Sequence, residues 1–387
     1  MDDKIDIHHH ERQYESTKEQ LEKDTALIPE NRQFILAYLR DSELGKTIKK
    51  GQKRKIGPGR NIRAAGILKL MDKEWFRKPY DKITVKEMED YILNLERGQI
   101  KSDRKTAYSS ESQMTIKKFI RKFWKWLKGQ SKFYPDEVEW IDTSGKEAEI
   151  KAVPGLRVGI EKMVDLAPDF QKKALIMTLF DGGMRESECL NLRLKDVEKL
   201  EDSGAFVVRV RHSKTFPRNI GLPIATPLLS KWLEQHPDKS NSESPLWVTI
   251  KTAPNGSQKI IPMGKAYFYN NIKRIGQKAL GISVTPHMIR HTSATYFAPR
   301  LDRATYCRRF GWSFASDMPD RYIDYAKLTE KKTVQVVKGE EMSELKKENK
   351  ELKEAMSRMS EQNSTQRLRL EKLEKAVATF LQKAETA

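Results

Sequence analysis

Cysteine is scarce in this chain, and long apolar runs are absent. The 387 residues contain two cysteines, Cys189 and Cys307, in neither a CxxC nor a metal-ligand spacing, so the sequence predicts no disulfide framework and no zinc site. No apolar stretch approaches the ~20 residues that cross a bilayer. The acidic start Met1–Asp3 lacks the apolar core of a signal peptide. We expect a soluble protein of the reducing cytoplasm with no membrane partner.

Two common ways of handling phosphate are also missing from the sequence. There is no GxxxxGK[ST] loop for a nucleoside triphosphate, and no cluster of Asp and Glu of the kind that holds catalytic metal ions. The run His8–His10 lies in a polar leader, where adventitious metal binding is a weaker interpretation than no binding. The sequence therefore predicts no metal and no cofactor.

Positive charge is what the chain has in excess. It carries 73 Lys and Arg against 54 Asp and Glu, a formal net charge of +19, which attracts a polyanion with a salt-dependent affinity. DNA, RNA or an acidic membrane surface would each satisfy this charge. Between residues 46 and 63 eight cations occur without an acid, which favours a phosphate-contacting segment over a solvated loop. These cations are Lys46, Lys49, Lys50, Lys53, Arg54, Lys55, Arg60 and Arg63.

The hydrophobic pattern divides the chain into five segments and predicts a mainly α protein with a small β-sheet. Residues 1–29 form a polar N-terminal arm or a loosely attached helix. Residues 30–130 form an all-α bundle, residues 131–155 a linker, and residues 156–338 a mixed α/β domain. Residues 339–387 form a C-terminal helix.

Within these domains the elements can be located more closely. In the bundle, Thr84 is the expected N-cap of one amphipathic helix. In the α/β domain, apolar residues 174–180 predict a helix, and two short β-like runs follow. The β-like runs cover residues 205–210 and 219–223, and further helices are expected at 266–280, 286–298 and 304–310.

The C-terminal segment has a heptad repeat. Its a positions are Met342, Asn349, Met356, Asn363, Leu370 and Val377, and its d positions are Leu345, Leu352, Met359, Gln366, Leu373 and Phe380. This repeat predicts a coiled coil, and Asn at two a positions favours a parallel pair. The alternative is a single amphipathic helix that packs on its own catalytic domain.

The strongest signal for chemistry lies in two short runs, Gly182–Leu190 and Thr285–His291. Each contains an arginine, Arg185 or Arg290, and arginines are always protonated and suit the oxygens of a phosphate. Thr285 is a suitable N-cap for a helix that starts at the following proline. His287 and Arg290 then lie one turn apart on one face, so both can reach the same phosphate.

These runs resemble the two arginine boxes of the tyrosine recombinase, or integrase, family, which read approximately G-x-R-x-S-E and H-x-L-R-H. The matching residues are Gly183–Glu188 and His287–Thr292, and the resemblance covers about residues 155–330. It implies an all-α core-binding domain followed by a mixed α/β catalytic domain, which together clamp double-stranded DNA in a C shape. The ending Met318–Ile323 resembles that of archaeal members.

The resemblance implies roles for the polar residues of the boxes. Arg185 and Arg290 would clamp the scissile phosphate, and His287 would accept a proton or bind the phosphate. Lys214, in the turn between the two β-like runs, would donate a proton to the departing 5′ oxygen. Glu188 would brace the site by orienting His287 or an arginine.

The nucleophile implied by the resemblance is Tyr322, which follows Arg321 about ten residues after Gly311. Tyr325, one helical turn later, is the alternative. Trp312 stands where many members have His, and its indole N–H can still donate a hydrogen bond. A phosphotyrosine keeps the energy of the broken phosphodiester, so neither ATP nor a metal is needed.

The implied function is site-specific DNA recombination by the integrase of a virus, plasmid or other mobile element, at the nucleoid of the host cell. A dimer on each site and a tetramer in synapsis are expected, and the heptads would help to assemble them. Two alternatives stay open at this point. One is a type IB topoisomerase-like enzyme that relaxes DNA, and the other is a non-catalytic architectural protein whose coiled coil sets its dimer.

Overall fold

The computed structural model describes most of the chain in two compact units, Met1–Ser293 and Ala294–Ala387. The described residues are 5, 10–47, 55–102, 105–129, 132–144, 149–326 and scattered positions between 350 and 364. The heptads predicted over 339–387 lie outside the described residues apart from those positions, at which Leu352, Met356 and Met359 are exposed. Within the described ranges no helix is both long and apolar enough to span a bilayer.

The N-terminal half of the first unit is all helical, as the sequence predicts. Its helices are α1 (His10–Lys23), α2 (Pro29–Leu44), α3 (Pro58–Met71), α4 (Val85–Glu96), α5 (Ser110–Leu127) and α6 (Asp136–Glu139). Aromatic rings fill much of the core, and Tyr38 meets Phe123 edge-on at 5.3 Å between ring centroids. The predicted cap is confirmed, because Thr84 and Glu87 form a reciprocal capping box at the start of α4.

Of the two expectations for residues 1–29, an arm or a loosely attached helix, the structure favours a helix, and the helix is docked on the bundle. Residues 10–23 form α1, which packs on α3, and Tyr14 and Leu21 are buried in the bundle core. These two residues lie seven positions apart, two turns along one face. Two apolar side chains on a helix of fourteen residues give too weak a periodicity to distinguish a docked helix from an arm.

The remainder of the first unit surrounds a small antiparallel sheet. Its helices are α7 (Arg157–Asp165), α8 (Phe170–Gly182), α9 (Glu186–Leu190), α10 (Thr226–Glu234), α11 (Lys265–Leu280) and α12 (Pro286–Phe297), of which α12 continues into the second unit. The strands β1 (Val197–Lys199), β2 (Phe206–Val210) and β3 (Arg218–Leu222) pair in the order β1-β2-β3. Val208 of β2 lies opposite Ile220 of β3, and both are buried.

A second hairpin was not expected from the sequence. Strands β4 (Val248–Thr252) and β5 (Gln258–Pro262) pair antiparallel, with Ile250 opposite Ile260. Most of their side chains are exposed or half-buried, so the alternation that marks a half-buried strand is weak. The pair Asn255–Gly256 in the turn is a hairpin signal that could have found it.

The second unit contains α13 (Arg303–Phe310) and α14 (Met318–Tyr325). Aromatic contacts hold it together, since Tyr306 meets Trp312 edge-on at 5.2 Å and donates its hydroxyl to the Ala294 carbonyl at 2.7 Å. An ion pair between Arg303 and Asp320 links α13 to α14.

Candidate active site

The first arginine lies at a sharp break between two helices. Helix α8 ends at Gly183, whose φ of 55° is left-handed, a conformation that glycine adopts without the steric cost of a Cβ. The chain then extends through Met184 to Arg185, the N-cap of the short helix α9. A glycine pair after an apolar helix therefore places Arg185 at the start of a new helix, as the sequence predicts.

Glu188 holds Arg185 in place through two hydrogen bonds. The backbone N–H of Arg185 donates to Oε2 at 2.9 Å, and its guanidinium Nη1 donates to Oε1 at 2.9 Å. Glu188 therefore orients an arginine, one of the two options that the resemblance left open. The side chain of Arg185 stays 27% exposed, so the guanidinium is both oriented and accessible.

The same carboxylate forms an ion pair that the sequence did not predict. Arg218 at the start of β3 donates through Nη2 to Glu188 Oε2 at 2.8 Å, and both side chains are fully buried. Burial alone would raise the pKa of Glu188, but hydrogen bonds and positive charge from Arg218, with further bonds from Arg185 and Ser213, lower it to about 2. Glu188 is therefore ionised at neutral pH. No sequence signal links Arg218 to a residue thirty positions earlier.

The second arginine, Arg290, projects from α12 and contacts the backbone break that precedes Arg185. Thr285 accepts a hydrogen bond from the Met288 N–H at 3.2 Å, which confirms the predicted cap before Pro286. Arg290 is buried, and its Nη1 donates to the Gly183 carbonyl at 2.5 Å. The backbone break that positions Arg185 therefore also fixes Arg290.

Both arginines and His287 line one pocket of about 250 Å³. The remaining walls come from Met184, Glu186, Ser187, Lys265 and Pro286. Although His287 keeps some contact with solvent, its pKa is lowered, first by desolvation of the imidazole and then by the charges of Arg290 and Arg185. A neutral imidazole beside two guanidinium groups can accept a proton where an anion would bind.

Lys214 lies in the loop between β2 and β3 and is exposed. The preceding residue, Ser213, donates its hydroxyl to Glu188 Oε1 at 2.8 Å. The loop that carries Lys214 is therefore anchored to the carboxylate that orients Arg185. A flexible four-carbon side chain on an anchored loop suits a proton donor.

The two candidate tyrosines in α14 differ in their surroundings. Tyr322 is 1% exposed and stacks on Trp312 with ring centroids 5.5 Å apart, whereas Tyr325 is 47% exposed. Trp312 also stacks on Phe310 at 4.9 Å. Trp312 therefore packs on the proposed nucleophile, while its role as a hydrogen-bond donor to DNA stays a prediction.

The basic segment predicted to contact DNA is described only in part. Lys49, Lys50, Lys53 and Arg54 lie outside the described residues, whereas Lys46, Lys55, Arg60 and Arg63 retain at least partial exposure. Arg60 and Arg63 belong to α3 and line a groove of about 330 Å³, together with Lys118 and Lys122 of α5. The two α5 lysines also keep contact with solvent and were missed because they lie far from the basic run in sequence.

Comparison with known proteins identifies this fold. Residues 159–327 match the model of the phage integrase family. The match contains the pocket and α14, and it confirms the resemblance drawn from the arginine boxes.

Curated relatives of the chain are archaeal tyrosine recombinases named XerA. The one from Saccharolobus solfataricus is 25% identical over 57% of this chain and 67% of its own length. The one from Pyrococcus horikoshii is 30% identical over 36% of this chain. The chain spans about half the length of that second relative, 46%.

Solved structures of integrases and recombinases share the fold. The Tn1549 transposon integrase, solved with transposon right end DNA, aligns with a TM-score of 0.54 and 15% identity over 78% of this chain and 98% of its own. The XerH recombinase bound to its difH substrate aligns with a TM-score of 0.53 and 17% identity over 84% and 94%. The chain therefore shares the fold of these solved recombinase structures.

Proposed function

We propose that this protein is a site-specific DNA recombinase that cuts and rejoins strands through a 3′-phosphotyrosine on Tyr322. One observation carries the proposal: Arg185, His287 and Arg290 line a single pocket. Two guanidinium groups supply several fixed donors and two positive charges to one phosphate. The curated relatives are named tyrosine recombinases, which supports the same reaction.

The proposed chemistry assigns one role each to Tyr322, His287 and Lys214. The Tyr322 hydroxyl oxygen forms a bond to phosphorus while the bond from phosphorus to the 5′ oxygen breaks. His287 accepts the tyrosine proton, because its lowered pKa keeps the imidazole neutral at neutral pH. Lys214 donates a proton to the 5′ oxygen. Attack by a 5′ hydroxyl of another strand reverses these steps and releases the tyrosine.

The arginines supply most of the electrostatic stabilisation in this scheme. Loss of one preorganised donor to a charged transition state raises the barrier by about 3–4 kcal/mol. Because Tyr322 is 1% exposed, attack on DNA requires its hydroxyl to become accessible. We expect DNA binding to release the tyrosine from its stacking contact with Trp312.

A covalent trapping experiment tests the proposal. The wild-type protein first selects binding sites from a randomised duplex library, and a recovered site is then made with a nick close to the cleavage position. Loss of the short fragment prevents religation, so a protein–DNA adduct should accumulate that survives denaturant. Tyr322→Phe should form none and Tyr325→Phe should form it normally. An adduct accompanied by relaxation of supercoils but no exchange between two duplexes would instead favour a topoisomerase.

We further propose that the reaction integrates or excises a mobile element in the host cytoplasm, with a dimer on each site and a tetramer in synapsis. The C-terminal heptads, with Asn349 and Asn363 at a positions, would help to hold these copies together. Deletion of the residues after Glu340 tests this role. It should lower the oligomeric state and slow exchange between duplexes, and unchanged association and exchange would contradict it.

A further inference from the structure

The pocket of the two arginines also contains an acidic side chain that suits a phosphate poorly. Glu186, the residue after Arg185, lines it, and its Oε1 atom is buried. A carboxylate so close to an incoming phosphate repels it, and the repulsion strengthens as DNA displaces water. A pocket that binds an anion therefore needs a positive charge or a proton that neutralises Glu186.

Lys265 is placed to provide that neutralisation. It is the first residue of α11, it lines the same pocket, and its Nζ lies 3.5 Å from Glu186 Oε1. Burial raises the pKa of Glu186, while the charge of Lys265 lowers it. The carboxylate and ammonium together add no net charge to the pocket, so the charges of Arg185 and Arg290 remain available for the phosphate.

We propose that Lys265 is a positioning residue that neutralises Glu186, so that the scissile phosphate meets the full charge of the two arginines. This inference rests on the proposed function, because it concerns the same pocket. Lys265 acts through Glu186 and needs no contact with DNA. Its importance therefore depends on whether residue 186 carries a negative charge.

Single and double variants of Glu186 and Lys265 test whether the effect of Lys265 depends on the charge of residue 186. The rate is measured in the trapping assay with the nicked duplex. Lys265→Ala should slow formation of the adduct by about ten- to a hundred-fold, because it exposes the phosphate to an uncompensated carboxylate. Glu186→Gln should be no slower than wild type. The double variant E186Q/K265A should be within about threefold of Glu186→Gln, because residue 186 then has no charge to neutralise. Lys265→Arg should retain the wild-type rate.

The pH profile separates this role from a structural one. The groups facing Glu186 across the pocket are Arg185, Lys265, His287 and Arg290. In Lys265→Ala, the raised pKa of Glu186 lets a proton replace the missing ammonium as the pH falls. The rate of Lys265→Ala relative to wild type should therefore rise as the pH falls toward the raised pKa of Glu186. The rate of E186Q/K265A relative to Glu186→Gln should stay constant.

A matched control and two outcomes complete the test. Lys278→Ala removes the same charge from the same helix, roughly 20 Å farther along at 1.5 Å per residue, and should leave the rate unchanged. The inference about Lys265 would be wrong if the double variant were as slow as Lys265→Ala, or if Glu186→Gln were slower than wild type. Cleavage by the wild-type protein would still support the proposed function in either case. A wild-type protein that forms no adduct would remove both.

Discussion

Glu188 and Arg218 form a buried ion pair, with 2.8 Å between Oε2 and Nη2 and neither side chain more than 1% exposed. The carboxylate also accepts hydrogen bonds from Arg185 and from the Ser213 hydroxyl. One acidic side chain therefore links the first arginine box to the loop that carries Lys214. The geometry of two proposed functional groups depends on this single buried charge.

Removal of that charge should destabilise the protein strongly. Glu188→Gln removes the negative charge that pairs with the buried Arg218, and breaking a buried ion pair costs about 3–5 kcal/mol. The free energy of unfolding from urea titration should fall by this amount. Glu198→Gln, at an exposed position of β1, is the matched control and should leave it nearly unchanged. A stable Glu188→Gln protein would show that Arg218 finds another partner.

Acid should remove the stabilising effect of Glu188 progressively. Its pKa in the folded protein is about 2, below the ordinary value of 4.5, so the unfolded state binds the proton more tightly. The stabilisation is therefore complete above about pH 4.5 and is lost as the pH falls toward 2. The urea midpoints of wild type and Glu188→Gln should converge over this range. Parallel midpoints would indicate that Glu188 titrates normally.

Lys214 should be needed to protonate the departing 5′ oxygen, and it should not be needed for DNA binding. Lys214→Ala should slow cleavage by about a hundred-fold or more, as expected for a general acid. A substrate with sulfur at the bridging 5′ position leaves as a thiolate, which needs no proton, so it should restore the rate of Lys214→Ala. Arg290→Ala should not be rescued, because its role is to stabilise the phosphate.

The control for this experiment is Lys251→Ala, on the exposed β4–β5 hairpin, which should cleave both substrates at the wild-type rate. Equal defects of Lys214→Ala on oxygen and sulfur substrates would assign the proton donation to another residue. The loop anchored by Ser213 would then have a purely structural role.

The groove between α3 and α5 should bind backbone phosphates of DNA. It is lined by Arg60, Arg63, Lys118 and Lys122. The slope of log K against log salt is negative, and each phosphate that a cation no longer neutralises reduces its magnitude by about 0.9. The double variants R60A/R63A and K118A/K122A each remove two cations, so each should reduce the magnitude of the slope by about 1.8, measured by fluorescence anisotropy. Lys86→Ala, at an exposed position of α4, is the control. Unchanged slopes would show that the DNA backbone binds at another surface of the protein.

The sequence predicted the helices and strands whose buried residues recur periodically. It also predicted residues whose roles depend on positions close to them in sequence. Helix α8 and strands β2 and β3 were found from apolar patterns, and Thr285 and Thr84 were found as caps because capping depends on residues two or three positions away. The arginine boxes were found because each is contiguous in sequence.

Features that depend on distant residues could not be predicted in this way. The pairing of Arg218 with Glu188 depends on the register of β3 against the turn after α8. The contact of Lys265 with Glu186 joins residues almost eighty positions apart. The β4–β5 hairpin buries little surface, so it leaves little hydrophobic pattern. Arg60 and Lys118 share a groove only because α3 and α5 are neighbours in the fold.

The attachment residue of the covalent adduct is the most direct test of the central claim. Trypsin should release Tyr322–Lys327, a peptide that contains both candidate tyrosines, so fragmentation between Ile323 and Asp324 is needed to separate them. After nuclease treatment of the adduct, we predict a nucleotide remnant on Tyr322 and an unmodified Tyr325. A remnant on Tyr325, or on any residue outside this peptide, would contradict the account.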